Sequence, residues 1–150
     1  MKNRINVFEK GQDAIGTLFG ITGYLRKSTI EKQLLELVDF RVSQMNSCAY
    51  CLDMHSKEAL AAGETEQRLF GLNAWRDAPY YSDRERAALA WAEALTTTKV
   101  TDQAYDDAKS QFADQELIDL TLAVTSINTW NRINLAFPNE VGTYKVGMFG

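Results

Sequence analysis

Cys48-Ala49-Tyr50-Cys51-Leu52-Asp53-Met54-His55 holds both cysteines and the only histidine of a 150-residue chain. If the segment is helical, residues three and four apart share a face, with Cβ atoms about 5–6 Å apart. The spacing then predicts one column, thiol next to thiol and thiol next to imidazole. That is the minimum equipment of a dithiol redox centre with its own proton acceptor. Cys48 falls at the first turn of such a helix, where unpaired N–H groups and the helix dipole favour a thiolate. Cys51 lies four residues before His55, which can take its proton or pair with its thiolate. Once a peroxide has oxidised one sulfur to sulfenic acid, the other thiol can condense with it to a disulfide. An external dithiol would close the cycle.

Working outward, Glu36 stands in Leu34-Leu35-Glu36-Leu37-Val38, on or beside an apolar helix face. A carboxylate there needs a partner to offset its desolvation. His55 could be that partner, with Glu36 orienting the ring as the third member of a catalytic triad does. Reaching solvent, or pairing with Arg41 or Lys32, are the alternatives.

Strand-like alternation is scarce, and helix start signals recur. Ser28 with Glu31, and Ser82 with Glu85, have capping-box spacing. Asn46 or Ser47 can cap the Cys/His helix, which stops near Gly63. Thr65 can cap a segment ending before Asp77-Ala78-Pro79, and Thr101 one through Phe112. Asp114 opens the longest and most apolar helix, carrying Leu117, Ile118, Leu120, Val124, Ile127, Trp130 and Ile133. The expected fold is all-α, one domain over residues 1–150 with five to six helices.

Composition narrows the function. With 16 basic and 20 acidic residues the net charge is −4, with no basic cluster for nucleic acid. No apolar run approaches membrane-spanning length, and the first residues lack the apolar stretch of a signal peptide. A cytoplasmic protein is expected, where a close cysteine pair is catalytic or metal-binding more often than structural. A structural zinc site wants four ligands and the chain offers three. A catalytic Cys₂His zinc site survives on ligand count, as do two ordinary buried cysteines near a core histidine. Covalent c-type haem requires histidine directly after the second cysteine, where Leu52 stands. A thioredoxin fold needs a βαβ context that the pattern lacks. No metal or cofactor is expected.

Glu36, twelve positions before Cys48-Ala49-Tyr50-Cys51, with His55 following, resembles the core of the alkylhydroperoxidase D (AhpD) family, in the carboxymuconolactone decarboxylase-like superfamily. Ser82 to Thr96 (SDRERAALAWAEALT) and Ile127 to Asn134 (INTWNRIN) are similar to helices of that family, so the likeness covers most of residues 30–137. The resemblance implies an AhpD-like helical fold, thiol-dependent peroxidase activity and assembly as trimers or hexamers. It implies Cys51 as the peroxidatic cysteine, Cys48 as the resolving one, and Glu36 and His55 as a proton relay. The implied partners are a peroxide and a dithiol reductant protein or small thiol. Tyr50 replaces a histidine that better-studied AhpD proteins carry between the cysteines, and it cannot act as a base near neutral pH. Decarboxylases of the superfamily do not rely on a CxxC pair; a thiol-disulfide exchange or redox-sensing protein is the other alternative.

The helix from Asp114 to Ala136 is apolar on more than one stripe. It either runs through the middle of the bundle or meets another subunit. The exposed-looking tail residues Phe137, Tyr144, Val146, Met148 and Phe149 favour a homo-oligomer. The line Asn128, Asn131, Asn134 fits either a subunit contact or the border of the Cys51 pocket.

Overall fold

The computed structural model describes residues 4–149; the ends of the 1–150 span, residues 1–3 and 150, lie outside it. Among the described residues there are eight α-helices and no strand. They are α1 (Val7–Lys10), α2 (Gln12–Leu25), α3 (Lys32–Met45), α4 (Ala49–Ala61), α5 (Glu66–Phe70), α6 (Asp83–Thr96), α7 (Asp102–Gln111) and α8 (Asp114–Ala136), with a 3₁₀ turn at Leu72–Ala74. The count exceeds the expected five to six because α1 and α2 precede the first start signal read from the sequence. The segment after Thr65 also divides into α5 and the 3₁₀ turn.

Several starts follow side-chain chemistry directly. Ser82 Oγ accepts the Glu85 N–H while Glu85 accepts the Ser82 N–H, a complete capping box. Thr65 and Thr101 cap α5 and α7 through their hydroxyls. Gly63 ends α4 at φ +98°, a left-handed angle that glycine adopts without steric cost. Two expected caps fail. Ser28 donates instead to Asp119 Oδ2 on α8 at 2.7 Å, so α3 starts only at Lys32. Neither Asn46 nor Ser47 caps α4; Cys48 does.

α3 is the axis of the bundle, contacting α4, α6 and α8. Leu34, Val38 and Val42 face a core shared with α6, α7 and α8, which includes Trp91, Leu120 and Val124. Leu37 faces a second core with Ala59, Leu69, Leu72 and Leu89. The remaining face of α3 carries Glu36 and Asp39 to the side where α4 lies. α8 is wrapped largely by its own chain, with Leu117, Leu120, Val124, Ile127, Asn131 and Asn134 buried along it. Asn131 is wholly buried: its amide donates to Ser43 Oγ at 3.0 Å, and its oxygen accepts from Asn46 Nδ2 at 3.0 Å. The asparagine line therefore ties α8 to the end of α3, and Asn134 borders the cavity described below. The tail also folds back, since Tyr144 is buried rather than exposed, whereas Val146 and Met148 remain exposed.

Leu120 and Ile118 are neighbours on α8 with opposite surroundings, 0% and 62% exposed. Leu120→Ala is expected to cost about 2–5 kcal/mol in urea denaturation. Ile118→Ala should stay within about 0.5 kcal/mol. Comparable losses for the two would contradict this packing.

Candidate active site

α3 and α4 meet through a sharp turn in which Ser47 takes φ +56° and Cys48 an extended conformation. Cys48 thus sits at the N-cap, just outside the first turn where the sequence placed it, and its sulfur accepts the Cys51 N–H at 3.4 Å. Cys48 and Cys51 are joined as a disulfide with Cα atoms 5.3 Å apart. Both are buried, and Cys51 faces a cavity.

His55, one turn further along α4, is 6% exposed. Its Nδ1 lies 2.8 Å from Glu36 Oε2. A carboxylate only accepts, so this contact places the ring hydrogen on Nδ1 and leaves Nε2 as the basic nitrogen. Nε2 is buried with no hydrogen-bond partner among the described residues. The alternative partners of Glu36 are engaged elsewhere: Arg41 donates to Glu93 at 2.8 Å, and Lys32 lies 3.5 Å from Glu58. The structure therefore brings together all four residues singled out in the sequence: Glu36, Cys48, Cys51 and His55.

It also adds one. Asp39, a turn after Glu36 on the same face, lies 3.8 Å from His55 Nδ1. Burial pushes its carboxyl up to about 7. Burial alone would lower the His55 pKa, but the nearby Asp39 and Glu36 carboxylates outweigh it and raise it. Burial and the neighbouring Asp53 raise the pKa of Tyr50, which stays a neutral phenol. The i, i+3 spacing from Glu36 is the sequence signal that identifies Asp39.

The cavity measures about 410 Å³. Glu36, Asp39, Cys51 and His55 line one side of it, while Phe8, Phe19, Trp130 and Phe149 give it aromatic walls. These aromatics hold one another, with ring centroids 5.7 Å apart for Phe8 and Phe149 and 5.4 Å for Phe19 and Trp130. The segment after α8 is strapped to α4: Tyr144 Oη donates to Glu58 Oε1 at 2.5 Å, the Gly147 N–H to the same oxygen at 2.8 Å, and Lys57 Nζ to the Tyr144 carbonyl at 3.0 Å. Sequence periodicity gives no signal for these walls, because they come from α1, α2, α8 and the tail.

The sequence profile of the carboxymuconolactone decarboxylase family matches residues 12–94, which hold Glu36, the CxxC pair and His55. The chain belongs to that family. It is 36% identical over 146 residues to the uncharacterized protein YdfG of Bacillus subtilis (strain 168), covering 95% of this chain and 99% of YdfG. A solved structure from Agrobacterium tumefaciens, a protein of unknown function (ATU0492) assigned provisionally as the antioxidant defence protein AhpD, superposes with a TM-score of 0.90. It is 34% identical and covers 95% of this chain and 100% of its own. The fold is thus AhpD-like. It is a versatile one: the debrominase Bmp8 shares it at a TM-score of 0.80 and 19% identity, over 90% of this chain and 74% of Bmp8. No helix among the described residues is long and apolar enough to cross a membrane.

The cluster fixes the sign of a pH effect on stability. Asp39 and His55 both hold their protons more tightly folded than unfolded. From 3.8 to about 7 for Asp39, and upward from 6.5 for His55, the folded chain binds more protons than the unfolded one. Stability contributed by this cluster is complete below those unfolded values and falls as pH rises through the raised ones. For the disulfide form, urea midpoints should fall between about pH 5 and pH 8. The fall should be shallower in Asp39→Asn. A midpoint that rises over this range would contradict the assignment.

Proposed function

We propose that this protein is a thiol-dependent peroxidase that reduces organic hydroperoxides through a Cys48/Cys51 dithiol–disulfide cycle. The observation that carries the reading is the His55 ring, held at Nδ1 by Glu36 on the helix that presents Cys51 to the cavity. In the reduced protein, His55 Nε2 takes the Cys51 proton, and the thiolate attacks the nearer peroxide oxygen. The S–O bond forms and the O–O bond breaks. Sulfur is oxidised and the peroxide reduced, and the departing alkoxide leaves as an alcohol with the proton returned from His55. Cys48 then attacks the Cys51 sulfenic acid. The S–S bond forms, the S–O bond breaks, and the Cys48 proton leaves with hydroxide as water. A dithiol returns the disulfide to two thiols. With both sulfurs buried, a small dithiol entering by the cavity is the reductant that the geometry favours over a large protein.

The volume of the cavity falls in the range of small-molecule sites, and its aromatic walls offer apolar contact to a bulky substituent. Hydrogen peroxide would make no use of those walls. The working unit is proposed as a homo-oligomer, a trimer or hexamer. Exposed Ile118, Leu135, Val146 and Met148 support it as apolar surface available for burial between subunits. Light scattering at micromolar concentration should give a multiple of the single-chain mass, and the single-chain mass itself would overturn the oligomer.

The deciding assay is peroxide consumption with a panel of dithiol donors. Wild type should turn over, with a higher kcat/KM for an aryl-substituted hydroperoxide than for hydrogen peroxide. Cys51→Ser should be inactive, and His55→Ala should lose ~10²–10⁴ in rate. Disulfide formation without catalytic turnover for any donor would favour a redox sensor instead. Full activity in Cys51→Ser would overturn the mechanism.

A further inference from the structure

Nδ1 of His55 has one hydrogen to give, yet two carboxylates converge on it. Glu36 Oε2 takes that hydrogen at 2.8 Å, and Asp39 Oδ2 stands at 3.8 Å, beyond hydrogen-bond reach. The three donor and acceptor atoms lie within 4.8 Å of one another. The Glu36 and Asp39 side chains are only 15% and 22% exposed. Two charged carboxylates this close, with little access to water, repel strongly unless a cation or a proton separates them.

Apart from the His55 ring itself, which must be neutral at Nε2 to take a thiol proton, the described residues around the pair supply no free cation. On α3, Lys32 is committed to Glu58 and Arg41 to Glu93. On α4, the neighbours besides His55 are Tyr50, the disulfide-bonded Cys51 and Glu58, none of them cationic. From the tail comes Tyr144, bound to Glu58, and from α2 comes Arg26, which donates to the Phe149 carbonyl at 2.9 Å.

We propose that Glu36 and Asp39 hold one proton between them, with Glu36 anchoring the His55 ring and Asp39 serving as a proton store at the cavity edge. Asp39 acts through His55 and is therefore a positioning residue. It lines the cavity, as His55 does, so it can exchange its own proton with cavity water and offset the charge that the ring gains at Nε2 when the disulfide is reduced. No electrons pass through Asp39: it gives its proton to cavity water as the ring gains one at Nε2 and takes one back when Nε2 releases its own, so the charge of the cluster stays constant. The upward push of its carboxyl by burial agrees with this state.

The proposal rests on the peroxidase reading only for its role in turnover. The shared proton itself can be tested without any peroxide. Infrared difference spectra of the oxidised protein, titrated from pH 5 to pH 8.5, should show one protonated carboxyl band disappearing. Asp39→Asn should lack that band. In the reduced protein, the pH profile of Cys51 alkylation by iodoacetamide should carry an inflection from the carboxyl pair in addition to that of the thiol. Asp39→Asn, which preserves shape, should retain only the thiol step, and Asp39→Glu should restore the second. Absence of a titrating carboxyl band in wild type would overturn the proposal however the variants fold. So would an alkylation profile unchanged in Asp39→Asn. Failure of peroxide turnover with these titrations intact would instead count against the peroxidase reading alone.

Discussion

The hydrogen bond between Glu36 and His55 joins two consecutive helices through side chains that neither helix could bury alone. Without the imidazole, the Glu36 carboxylate would sit unpaired on a face of α3 flanked by two hydrophobic cores. Without the carboxylate, the ring would be free to turn its other nitrogen inward. Together they fix the orientation of His55 and leave Nε2 as the ring nitrogen without a partner among the described residues. The turn at Ser47 joins the two helices, and the Asn46–Asn131–Ser43 network anchors the end of α3 to α8.

The proposed reacting groups and the cavity walls come from different parts of the chain. The four residues proposed to react all lie between Glu36 and His55, within the segment that carries the family profile. Trp130, Tyr144 and Phe149, which shape the cavity, lie beyond it. The proposed relay occupies one helical hairpin, while α8 and the tail shape the space in front of it.

Local rules were readable where the partner is local. Ser82, Thr65 and Thr101 cap helices because a side-chain oxygen meets an unpaired N–H three residues away. Glu36 was readable because a carboxylate on an apolar face needs a partner, and the chain has one histidine. Asp39 obeys the same rule, but the single histidine is already matched to Glu36, and Arg41, the other partner offered to Glu36, goes to Glu93. Ser28 misled because its hydroxyl found Asp119, 91 residues away. Gly16, Gly20 and Gly23 depress helix propensity in α2, which is held by packing against α8 that no local pattern reveals. The tail looked exposed for the same reason: Tyr144 is buried by a bond to Glu58, distant in sequence.

The central claim is that Glu36 commits the hydrogen of His55 to Nδ1 and leaves Nε2 free for the role of base proposed for it. ¹⁵N NMR of the single imidazole in the reduced protein reads this directly. The account predicts that Nδ1 stays protonated throughout the titration while Nε2 alone gains and loses its proton, and that Glu36→Gln weakens this preference. A neutral ring carrying its hydrogen on Nε2 in the wild-type protein would contradict it.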